Sequence, residues 1–126
     1  MLPQFRVSLD EAIMVQEDNL RRTVSPIFEK LGVPPEDAQL AADVLLLADL
    51  RGVDTHGVSN ILRSYVSGLQ SGQINPRPDW KIVRETPGTA NIDSDRGLGV
   101  VVAPKAMEIA IEKAKEETHP PCSGLI

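Results

Sequence analysis

Between residues 58 and 69 the chain sorts its side chains so cleanly that one conformation is imposed on it. Val58, Ile61, Leu62, Tyr65, Val66 and Leu69 recur at helical spacing, the pattern of a helix laid with one side on a core. His56, Asn60, Arg63 and Ser67 fall on the opposite side at steps of three and four. That second stripe is polar, so it faces either water or a ligand. The rest of the chain has to supply an apolar cover for the first.

Glycine and proline divide what precedes and follows. Phe5-Arg6-Val7 reads as a short extended piece, and Ser8 followed by Glu11 reads as a capping box. The box opens a helical region running toward Leu31, with a kink or break expected at Pro26. Gly32 is a natural stop. Pro34 and Pro35 pre-set a second helix, with Glu36 and Asp37 suited to its first turn. In it Ala38, Ala41, Leu45 and Ala48 keep one side narrow, while Leu46, Leu47 and Leu50 widen the apolar arc and predict burial on more than one side. Gly52 ends that helix, Thr55 opens the third and Gly72 closes it.

Residues 75–78, Asn-Pro-Arg-Pro, form an extended connector, because proline disfavours helix in itself and just before it. Two strands are expected over 80–86 and 89–93, joined around Pro87-Gly88. Residues 94–97 read as a turn served by Asp93 and Asp95. A last helix over about 101–115 should bury Ala103, Met107, Ala110, Ile111 and Ala114. The fold class is therefore α+β, mainly helical with a small two-stranded or mixed sheet.

With 18 acidic against 13 basic side chains the net charge is −5, which argues against a nucleic-acid partner. The longest apolar run, residues 44–48 between Asp43 and Asp49, is far short of the roughly 20 residues that cross a bilayer. The start of the chain lacks a charged-then-apolar signal pattern. A lone Cys122 cannot close an internal disulfide, which fits a reducing cytoplasm. Only Phe5, Phe28, Tyr65 and Trp80 are aromatic, so the core must be aliphatic.

Chemistry concentrates in residues 51–57, RGVDTHG. The spacing predicts His56 in the first turn of the third helix, with Thr55 as its cap. Amide dipoles at a helix start disfavour an imidazolium, while Asp49 and Asp54 pull the other way. A neutral imidazole there can take a proton from an alcohol. Arg63 shares the histidine's stripe, and a guanidinium can hold a carboxylate by two parallel hydrogen bonds. Each residue also has an ordinary reading: His56 as a surface or capping histidine, Arg63 as a solvated arginine, Arg51 as a helix C-terminal cation. Asp49 either orients His56 or simply sits near a helix end. Tyr65 points to the apolar side and reads as packing.

Other signals are weaker. His119 and Cys122 are two ligands and do not make a tetrahedral zinc site. A metal-dependent hydrolase built on His56, Asp54 and Asp49 lacks a further ligand cluster. Gly97-Leu98-Gly99 lacks the third glycine and the βαβ setting of a phosphate-cradling turn.

Residues 51–78, RGVDTHGVSNILRSYVSGLQSGQINPRP, closely resemble the malate/L-lactate dehydrogenase family of NAD(P)-dependent oxidoreductases, which is distinct from the Rossmann-type lactate and malate dehydrogenases. The resemblance extends through GVPPEDAQLAADVLLLADLRG (32–52), WKIVRETPGTANIDSDRGLG (80–99) and APKAMEIAIEKAKE (103–116). It implies a reversible hydride transfer between NAD or NADP and a 2-hydroxy/2-oxo acid, in a cytoplasmic homodimer. The family's members differ in substrate, taking lactate, malate, sulfolactate, ureidoglycolate or cyclic imino acids. In the family the histidine of the Asp-Ser/Thr-His-Gly motif lies in the active site and is implicated in substrate binding and proton transfer. The resemblance thus assigns acid/base work to His56; Thr55, Arg63, Asn60 and Arg51 are the candidate substrate-binding residues around it, and no metal is expected. Some members carry an arginine one turn after the histidine; here that position is Asn60.

After Glu116 relatives typically continue into a glycine- and valine-rich strand and a segment with a second active-site histidine. This chain reads ETHPPCSGLI instead. The expectation is an N-terminal helical, substrate-side domain over 1–116 and a divergent tail over 117–126. Most of the cofactor pocket would be absent and the chain inactive alone, as if truncated or frame-altered near residue 117. The alternative is a non-catalytic helical module that dimerises or binds a partner, motivated by the apolar faces of the second and last helices.

Overall fold

The computed structural model describes residues 13–118. The expected extended piece at residues 5–7, the capping box at Ser8 and Glu11, and the tail with His119 and Cys122 lie outside them.

Helix α1 spans Glu17–Lys30. It starts later than the sequence suggested, because residues 13–16 are not helical. Glu17 and Asp18 place acidic groups in the first turn, where amide dipoles favour them. Pro26 lies inside the helix without dividing it. Gly32 takes the left-handed φ of +91° that ends it. Helix α2 (Pro35–Leu50) begins with Pro35 as its first residue, and Gly52 (φ +69°) turns the chain after it. A single turn of 3-10 helix, Asp54–His56, leads into α3 (Val58–Gln70), after which Gly72 (φ +74°) turns the chain again. Strands β1 (Lys81–Thr86) and β2 (Thr89–Asp93) form an antiparallel hairpin, and α4 covers Gly99–Thr118.

The core is aliphatic around one ring. Phe28 and Val24 of α1 pack with Val33 and with Ala38, Ala41, Ala42, Leu45 and Leu46 of α2. Leu69 of α3 and Leu98 and Val101 at the root of α4 complete it. The alanines of α2 let neighbouring helices approach closely, and full burial of Phe28 stabilises the fold by about 1.5–3 kcal/mol. Tyr65 tilts against Phe28 with ring centroids 6.5 Å apart, so its packing role stands. Leu46 is buried as predicted, but Leu47 and Leu50 are exposed, because no described element covers that side of α2.

The last helix reverses the expectation. Val101 and Val102 are buried, while Ala103, Met107, Ala110, Ile111 and Ala114 are exposed. Lys105 pairs with Asp37 (2.6 Å) and Lys113 with Glu85 (2.8 Å), so α4 grips α2 and the hairpin by its polar side. In the hairpin Ile82 faces Ile92 and Arg84 faces Asn91, which leaves Val83 as a one-residue bulge.

The turn after β2 is tied to the connector after α3. Asp95 and Arg96 adopt φ of 47° and 57°. Asp95 Oδ2 accepts from Asn75 Nδ2 (2.8 Å) and Asp79 N (3.0 Å), and Asp93 Oδ1 accepts from Asp95 N (3.0 Å). Both aspartates serve the turn, as their sequence context suggested. Arg77 Nε reaches back to the Gly32 carbonyl at 3.1 Å.

Candidate active site

The loop between α2 and α3 is short and closely held. Gly52 N donates to Asp49 O and Val53 N to Ala48 O, which fastens the loop to the end of α2. His56 N donates to Val53 O at 2.9 Å and closes the 3-10 turn. Asn60 donates its side-chain amide to Asp54 O at 2.8 Å, pinning that turn against α3.

His56 is therefore not in the first turn of α3. It ends the preceding turn, and Gly57 separates the two. Thr55 does not cap the helix either: its Oγ1 lies 2.8 Å from His56 Nδ1. The cap comes from Asp49, whose Oδ2 accepts from Val58 N at 2.9 Å. A carboxylate so placed meets both an orphan amide and the positive end of the helix. Gly57 is buried, and a Cβ there would land on the Asp49 carboxylate. Glycine directly before the helix start signals that the acceptor comes from elsewhere, but nothing local in the sequence says that Asp49 supplies it.

Asn60, Arg63 and Ser67 of α3 are exposed, as the polar stripe predicts; His56 is exposed too, but on the preceding turn and not on that helical stripe. On the other side Val58, Ile61, Leu62, Tyr65 and Val66 are half-buried and Leu69 is buried. Thr55 Oγ1 engages Nδ1, and Nε2 makes no hydrogen bond among the described residues. Arg63 has no ion-pair partner among them. Arg51 is exposed at the C-terminal cap of α2, and no hydrogen bond joins it to the histidine. One hollow is lined by Met14, Leu20, Leu46 and Asp49, a second at the start of α3 by Ile13, Val15, Asp49, Val58 and Ser59, and a third by Ile82, Ile109 and Lys113. No described helix is long and apolar enough to cross a membrane.

Residues 15–119 match the malate/L-lactate dehydrogenase family. The chain belongs to that family. The L-sulfolactate dehydrogenase of Methanocaldococcus jannaschii is 48% identical over 103 residues, covering 82% of this chain and 30% of the relative. The malate dehydrogenase of Pyrococcus horikoshii is 48% identical over 104 residues, covering 82% of this chain and 29% of the relative. Equal likeness to a sulfolactate and a malate enzyme means that identity over this segment does not select the acid. The backbone agrees with the family as well. The solved P. horikoshii malate dehydrogenase superposes with a TM-score of 0.78 at 48% identity, covering 82% of this chain and 30% of that one. The M. jannaschii sulfolactate dehydrogenase gives 0.79 at 47% identity, covering 83% and 30%. The chain thus spans about three tenths of the length of the relatives it matches.

Proposed function

We propose that this chain carries the proton-handling face of a 2-hydroxy acid oxidoreductase of the malate/L-lactate dehydrogenase type. The supporting observation is an exposed imidazole whose Nδ1 is engaged by Thr55, leaving Nε2 to act, with Arg63 exposed in the second turn of α3 and without an ion-pair partner among the described residues. In this reading His56 takes the hydroxyl proton as the 2-hydroxy acid is oxidised and returns it to the oxo group in reverse. Arg63 holds the substrate carboxylate, with Thr55, Asn60 and Arg51 around it. NAD or NADP is the hydride acceptor. The hydride-transfer half of the chemistry is assigned to none of the described residues. Residues 1–116 then form the substrate-side domain, residues 117–126 diverge from it, and the cofactor domain lies elsewhere in the whole protein. That protein is a cytoplasmic homodimer on this reading.

The test is a chimera in which residues 13–118 replace the matching segment of the P. horikoshii malate dehydrogenase. Turnover with malate and a nicotinamide nucleotide is expected, and His56→Ala should lower kcat by roughly 10²–10⁴-fold. Full turnover in His56→Ala would overturn the assignment. A second reading, a helical module that pairs with a partner, draws support from the exposed Met107 and Ile111 of α4. A monodisperse monomer in analytical ultracentrifugation that binds no hydrophobic dye would remove it.

A further inference from the structure

His56 ends the single turn between two helices, and the step from it into α3 is fixed by a side chain nine residues before Val58. Asp49 belongs to the last turn of α2, one turn after the buried Leu45 and Leu46, so its backbone is placed by the core. Its Oδ2 holds Val58 N at 2.9 Å, and its other oxygen fills the space beside Gly57. Gly57 has a φ of −85°, a value open to any residue. What makes glycine necessary there is the carboxylate, not the backbone. Asp49 makes no hydrogen bond to the imidazole and so acts on it only through residues 57 and 58.

We propose that Asp49 is the positioning residue for His56: by gripping the first amide of α3 across Gly57, it sets the direction in which the imidazole leaves its turn. A charged acceptor suits the task, since hydrogen bonds to ionised groups are shorter and about twice as strong as neutral ones. The importance of that direction rests on the reading of His56 as the proton-handling group; the geometric claim does not.

The experiment is NMR of the full 126-residue chain. In the unaltered protein the Val58 amide should be protected from exchange and the His56 side-chain couplings should report one rotamer. Asp49→Ala should speed Val58 exchange by about tenfold and average the His56 couplings, while the amides of Phe28 and Leu45 keep their protection. Asp49→Asn keeps an acceptor oxygen in place and should restore the single rotamer. Gly57→Ala displaces the carboxylate and should reproduce Asp49→Ala, and the double variant should be no worse than Gly57→Ala alone, because both act on one contact. Unchanged His56 couplings in Asp49→Ala, no rescue by Asp49→Asn, or additive effects in the double variant would each overturn the proposal. Failure of the functional reading appears instead in the chimera's turnover, with the NMR result left standing.

Discussion

Helices α2 and α4 carry similar apolar patterns and meet opposite fates. In α2 the stripe of Ala38, Ala41 and Leu45 is buried, because α1 lies along it and α3 and the root of α4 close the rest. In α4 the corresponding stripe, from Ala103 through Met107 to Ala114, is exposed, and the helix is anchored through Lys105 and Lys113 on its other side. Periodicity says which side of a helix gains from burial. It does not say whether a neighbour is present to bury it.

The strongest way to break this contrast is to mutate both stripes. Leu45→Ala should cost about 2–5 kcal/mol in a urea unfolding experiment, because a fully buried leucine leaves a cavity that its neighbours fill only in part. Ile111→Ser should stay within about 0.5 kcal/mol, as exposed substitutions usually do. If the α4 substitution cost as much as the α2 one, that stripe would have to be covered in solution, and the contrast would fail. Tyr65, at the margin of the core, provides the smallest and sharpest test. Burial raises its phenol above the ordinary 10.0. The folded state thus favours the protonated ring, so its contribution is intact below pH 10.0 and is lost as pH climbs through the raised folded value. The urea midpoint of Tyr65→Phe should therefore fall less in that alkaline range than that of the unaltered chain. Parallel curves would place the hydroxyl in water.

What could be read in the sequence was what depends on a residue's own backbone. Gly32, Gly52 and Gly72 mark turns because each takes a left-handed φ, and Pro35 starts α2 because its fixed φ suits that place. The polar stripe of α3 could be read for a similar reason, since its spacing is local. The cap of α3 could not. Capping rules look within a few residues, and here Thr55 spends its hydroxyl on the neighbouring ring while a carboxylate nine residues away takes the amide. The orientation of α4 was illegible for a tertiary reason too: its pattern marks an apolar side, but no described element lies against that side.

The double grip of Asp95 Oδ2 has a mechanical consequence. One oxygen rivets the connector at Asn75 and Asp79 to the corner that launches α4. Swinging the β-ribbon away from the helices would shear both bonds at once, so ribbon, corner and helix root should travel as one lever arm.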